Sequence, residues 1–111
     1  MSPEAPVPAY VIALLQVLDV ERYRRDYGRH VAAQVTALGG RLLVATPAAT
    51  TLEGESGTTW TAVLEFPDRA TALRWYHSAE YAPLKQLRLE ELTTGGTVAL
   101  CDGYRPAAPT P

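Results

Sequence analysis

The groups in this chain able to transfer protons, hold a polar ligand or act as a nucleophile are two histidines, six tyrosines, two tryptophans, a few carboxylates and one cysteine. An imidazole titrates near neutrality and so suits general acid–base work. His30 follows Tyr27 by three residues and Tyr23 by seven, offsets that bring the three near one helical face. His30 is therefore the first acid–base candidate, with Tyr27 beside it and Tyr23 as a binding group. His77, between Tyr76 and Ser78, reads as a solvent-facing helix residue. Glu65 ends an apolar run, where an unpaired carboxylate is expensive to bury. It is either the ion-pair partner of Arg41 or Arg88, or a base whose pKa an apolar pocket raises for removing a carbon-bound or enolic proton. Both hold together if the arginine that orients the acid also binds a substrate carboxylate or enolate.

The remaining candidates bind rather than react. Trp60, Trp75, Tyr76 and Tyr81, with Ser78 between the last two, either fill core and interface or line a flat slot whose phenols meet the carbonyls of an aromatic or polyene ligand. Cys101 reads as a small core hydrophobe, without the cationic context that activates a thiolate. The chain has no glycine-rich phosphate loop, no HExxH, no calcium loop and no nucleotide fingerprint. No cofactor is expected, and the two histidines lack the local pairing of a metal site.

These groups cluster in one strand-to-helix unit. The β-rich run from Trp60 to Phe66 stops at Pro67, which cannot donate to a ladder, and Asp68 then offers an oxygen to cap a helix reaching about Ser78. Pro83 follows too soon for unbroken helix, so a separate helical segment is expected over residues 84–91. Upstream, the apolar run from Tyr10 to Val17 is a strand covered on both faces. Asp19 caps a helix in which Tyr23, Tyr27, Val31, Val35 and Leu38 form one stripe. Gly28 interrupts it at a cost of about 1 kcal/mol against alanine, and Gly39-Gly40 closes it. Residues 41–45 make a second strand stopped by Pro47. Residues 50–57 make a polar connection with two or three paired residues at its edges, residues 93–96 a turn, and residues 97–102 the last strand.

The order is β-α-β-β-α-β, an α+β ferredoxin-like fold in which two helices cover one face of a four-stranded antiparallel sheet. Strands apolar on both alternating sets leave the second face to be buried by a second copy, as a dimeric α/β barrel. The expected domain is residues 9–104, between proline-rich flexible tails at 1–8 and 105–111.

A net charge of -2 and a pI near 5.6 disfavour a nucleic-acid partner, which requires a basic surface. One cysteine excludes an internal disulfide framework and fits a reducing cytoplasm. No basic segment precedes an apolar core near Met1, and no apolar run approaches a membrane span, so neither secretion nor membrane anchoring is expected.

With these residues in place, the chain resembles the bacterial family called domain of unknown function 1330, within the dimeric α/β-barrel superfamily. The resemblance rests on Tyr23 and Tyr27, Gly39-Gly40-Arg41, Glu65-Phe66-Pro67, Trp75-Tyr76-x-Ser78-x-Glu80-Tyr81 and Arg88, and covers nearly everything from Tyr10 to Gly103. It implies the fold and the homodimer. Members of the wider superfamily resemble cofactor-independent monooxygenases, muconolactone-type isomerases, and polyketide cyclases and dehydratases, and analogy of fold is a weak guide among them. The expected function is a cofactor-independent isomerase, cyclase or lyase acting by acid–base chemistry on an aromatic, polyene or polyketide-like metabolite of secondary metabolism. The alternatives are a ligand-binding or structural dimer without chemistry, and a cofactor-free monooxygenase.

Overall fold

Residues 7–105 are described by the structure, a computed structural model. Its central strand, β1 (Ala9–Val17), lies between β3 (Trp60–Phe66) and β4 (Thr93–Asp102), and β2 (Arg41–Thr46) extends the sheet beyond β3. All three neighbouring pairs are antiparallel. Between β1 and β2 the chain forms α1 (Val20–Tyr23), a π-helical turn (Arg24–Gly28) and α2 (Arg29–Ala37). Between β3 and β4 it forms α3 (Arg69–Tyr76), α4 (Ala82–Leu87) and a second π-helical turn (Arg88–Leu92). The fold is the expected ferredoxin-like α+β arrangement. The tails expected at 1–8 and 105–111 lie outside the described residues, apart from Val7, Pro8 and Arg105.

The two-residue period of the strands sorts their side chains. Val11, Leu15, Trp60, Ala62, Leu64 and Phe66 point towards the helices and are buried. Tyr10, Ile12, Thr61, Val63 and Glu65 take the opposite face and are half-buried, with Leu14 exposed among them. Val44 of β2, opposite Val63, is also exposed. The open face is therefore mixed in character along β3, and apolar mainly along β1.

Caps fix the helix ends. The Asp19 carboxylate accepts from the Arg22 amide at 3.1 Å, and Asp68 from the Thr71 amide at 2.7 Å. After α2, Gly39 adopts φ +81°, and the Gly40 amide donates to the Val35 carbonyl at 2.9 Å. A Cβ on Gly40 would lie 2.2 Å from the Glu65 carbonyl oxygen, so the helix end can pack against β3 only with glycine there.

Three local expectations are corrected. Residues 93–96 are strand, not turn: they pair with β1 beside a bulge at Gln16 and Val17, and Gly96 (φ +137°) passes so close that a Cβ would sit 2.4 Å from the Leu14 carbonyl. The glycines there serve close strand approach. Gly28 does not break its helix: at φ -58° and ψ -46° it closes the π turn and leads into α2. Residues 47–59 carry no strand, and sheet pairing there reaches only Thr59, whose amide donates to the Leu15 carbonyl at 2.9 Å.

Candidate functional site

The first helical segment is built around residues four apart. Tyr23, Tyr27, Val31 and Val35 are all buried against the sheet. On a regular α-helix each four-residue step drifts by about 40°, because four residues exceed one turn. The wider π turn over Arg24–Gly28 absorbs that drift and keeps Tyr23 and Tyr27 on the sheet side. The second π turn does the same across the way, burying Arg88 and Leu92. The phenolic and cationic side chains of both turns meet in a cavity of about 220 Å³ between helices and sheet. Val11, Leu15, Ala62 and Leu64 form its floor, and Trp60 lies at the Tyr23 end.

Within this space the Tyr27 and Tyr81 hydroxyls are 2.7 Å apart. One proton is used between them, and the other has no acceptor among the described residues. Burial raises the pKa of Tyr27 well above the ordinary phenol value, reinforced by Tyr81 and Tyr23, and burial likewise raises Tyr23. Both therefore stay neutral at physiological pH and act as hydrogen-bond donors rather than phenolate bases. Arg88, only 4% exposed, lies 6.0 Å from the Tyr27 ring and beside the Tyr27 and Tyr81 hydroxyls. No carboxylate among the described residues pairs with it, and its Nε has no hydrogen-bond partner. The indole N–H of Trp60 is buried and equally unpartnered. A cavity with apolar walls and these donors can bind an anionic or carbonyl oxygen and stabilise negative charge developing on it.

Other candidates are placed elsewhere. His30 is exposed on α2 and does not line the cavity. Glu65 and Arg41 occupy the opposite face of the sheet, paired at 2.8 Å, with the Tyr10 hydroxyl donating to Glu65 at 3.0 Å. Arg41 and then Tyr10 hold the Glu65 carboxyl below its ordinary pKa, so an apolar pocket that would raise it is not its environment. Trp75 packs behind the cavity, 4.2 Å from the Tyr81 ring, and its indole donates to Gln34 at 2.9 Å. Ser78 accepts from the Tyr81 amide at 3.1 Å while donating to the Trp75 carbonyl at 2.7 Å, which positions Tyr81. Tyr76 lies beneath Lys85 and shares a separate surface hollow with His77. Cys101 is exposed, not the core residue expected.

A family model described as Domain of unknown function (DUF1330) matches residues 8–104. The chain belongs to this family. Among curated proteins none matches. Of solved structures, the DUF1330 chain is similar to the RPA0582 protein of unknown function from Rhodopseudomonas palustris, with a TM-score of 0.71 and 14% identity over 90% of this chain and 85% of that one. A methylated form of RPA0582 gives a TM-score of 0.72 at 14% identity over 93% and 85%. At that identity the likeness establishes the shared fold. The family's description names no activity, so the chemistry of this DUF1330 member rests on its own residues.

Arg24 and Arg29 also line the cavity and had no signal in the helical stripe, because an α-helix extrapolated from Tyr23 places Arg24 off the buried face. The regular four-residue spacing of buried positions was the one sign of the wider turn that brings them there.

Proposed function

We propose that this cavity is the active site of a cofactor-independent enzyme of isomerase, cyclase or lyase type, acting on a small enolisable aromatic or polyketide-like molecule. The observation that carries the reading is the buried Tyr27–Tyr81 hydroxyl pair beside the Arg88 guanidinium, which no carboxylate among the described residues pairs with and whose Nε has no partner there. In this reading a water molecule takes the proton from carbon, the substrate's carbonyl oxygen accepts a hydrogen bond from the free phenolic O–H as it gains negative charge, and Arg88 stabilises that charge in surroundings of low polarity. The apolar floor holds the ring in a reactive orientation. Incubating the protein in D2O with a panel of aromatic ketones and β-dicarbonyl compounds tests this by the rate of hydrogen exchange at carbon. Exchange above the protein-free rate is expected, slowed by Tyr27→Phe and lost on filling the floor with Ala62→Leu. Rates equal to the protein-free control across the panel would refute it.

One observation favours the second reading, a binding module without chemistry: among the described residues no histidine, aspartate or glutamate lines the cavity, so a base must come from the ligand or from water. The D2O experiment separates the two.

The functional unit in this proposal is a homodimer. Exposed Leu14 and Val44, with half-buried Ile12 and Val63 between them, support a second copy covering the open sheet face. Light scattering at micromolar concentration should give twice the chain mass, and a monomer would remove the dimer from the proposal.

A further inference from the structure

We infer that the ligand of this cavity is a small organic monoanion, a carboxylate or acidic enol on a single ring-sized apolar body, with its charged head on Arg88. The inference rests on reading the cavity as the ligand site and names what enters it. Its first support is the distribution of charge. The chain carries a net charge of -2, yet among the described residues three arginines and no acid line this cavity. Elsewhere Arg22, Arg25, Arg41 and Arg69 each pair with a carboxylate and Arg74 pairs with none but donates to the Thr71 hydroxyl at 3.2 Å, whereas none of the three that line the cavity, Arg24, Arg29 and Arg88, pairs with a carboxylate among the described residues. Arg24 lies over the Trp60 ring at 5.3 Å and with Arg29 places positive charge around the cavity, where it draws anions inward.

The second support is burial. Arg88 is only 4% exposed, and its Nε and the Trp60 indole N–H have no acceptor among the described residues. Buried donors left unsatisfied are costly, and a planar anion accepting from a guanidinium fork removes that cost. The third is size and polarity. A cavity of about 150 Å³ accepts benzene, so about 220 Å³ holds one ring with an acid group. The apolar floor has nothing to offer a bare inorganic anion, so the body must be apolar and the charge confined to one end.

Titration of the full chain with benzoate, its neutral amide benzamide and inorganic phosphate, followed by calorimetry or amide chemical shifts, tests this. Benzoate should bind about ten-fold or more tightly than benzamide, with shifts at Tyr27, Tyr81 and Arg88, and phosphate should not compete with it. Arg88→Met should bring benzoate and benzamide within about two-fold of each other, with the fold confirmed by its melting transition. Equal binding of benzoate and benzamide by the wild-type protein overturns the inference without needing any variant. So do phosphate binding as tight as benzoate, a preference that survives Arg88→Met, and no binding at all. Benzoate held in an Arg88-dependent way by a protein that exchanges no carbon-bound hydrogen would refute the catalytic reading and leave this one standing. Exchange on neutral substrates untouched by Arg88→Met would do the reverse.

Discussion

Replacing Arg88 by methionine should make the protein more stable while removing the one buried charge that lines the cavity among the described residues. Arg88 is 4% exposed, has no carboxylate partner among the described residues and leaves its Nε unsatisfied. A buried donor without an acceptor costs about 1–3 kcal/mol, and exchanging buried charge for apolar side chains of similar volume is often stabilising. Against this stand the contact with the Tyr27 ring, at 6.0 Å near the outer limit of such interactions, and the hydrogen bonding of the guanidinium to the Tyr27 and Tyr81 hydroxyls, together about 1–2 kcal/mol. Methionine restores part of that through its own sulfur–aromatic contact. The net expectation is a gain of about 1 kcal/mol, which for a domain of this size raises the melting midpoint by about 4 °C. Calorimetry on wild type, Arg88→Met and Arg88→Lys measures it. The lysine variant keeps the buried charge and should show no rise. A midpoint for Arg88→Met below wild type would mean that the guanidinium is held by native interactions, and that its burial is structural rather than a cost retained for a ligand.

Further outcomes follow from single contacts. Tyr27→Phe and Tyr81→Phe should each cost about 1 kcal/mol in chemical denaturation, and the double variant less than the sum, since both break the same 2.7 Å hydroxyl contact; strict additivity would show that the hydroxyls are not paired. Gly28→Ala should stabilise by up to about 1 kcal/mol, because Gly28 has helical angles and an added Cβ meets nothing nearer than 3.7 Å; a destabilised variant would argue against the π turn as drawn. The Glu65 carboxyl has a lowered pKa in the folded chain, so its contribution to stability is present above the ordinary value of 4.5 and is lost as pH falls through the lower folded value. Glu65→Gln should therefore flatten the acid limb of the stability–pH curve, and an unchanged limb would show that the pairing with Arg41 and Tyr10 has no weight in solution.

The fold was legible because its signals are local and redundant. A strand closed by Pro67 and capped by Asp68, and a helix closed by Gly39-Gly40, appear in the structure close to where the sequence puts them. Tyr23 and Tyr27 meet at one cavity because their stripe faces the sheet, which their spacing reveals, whereas Trp60, Tyr81 and Arg88 reach it from other elements through contacts that no local spacing encodes. What failed is the face of a residue at the margin of a stripe. His30 lies three residues past Tyr27 in sequence but one before Val31, which faces the sheet, so it turns about 100° off the buried line of α2 and ends in solvent. Glu65 sits on β3 one residue from Leu64 and Phe66, and the pleat sends it to the other side from both. The Thr93–Gly96 segment misled because paired glycines are common to turns and to close strand packing, and only the partner strand distinguishes the two.

Each wall of the cavity owes its shape to one residue more than an α-helix of the same span would hold. Deleting a single residue from Arg24–Gly28 would return that stretch to regular winding without removing any contact of α2 with the sheet. The helix on either side would keep its facing, because the π turn holds its extra residue without rotating its flanks. Within the stretch itself Arg24, Tyr27 and Gly28, which now line the cavity, would lose their present positions, and the cavity would lose that part of its wall. The length of chain between β1 and α2 thus sets pocket shape independently of fold stability, and in this architecture a change of one in the residue count can remodel what is bound while the core stays as it is.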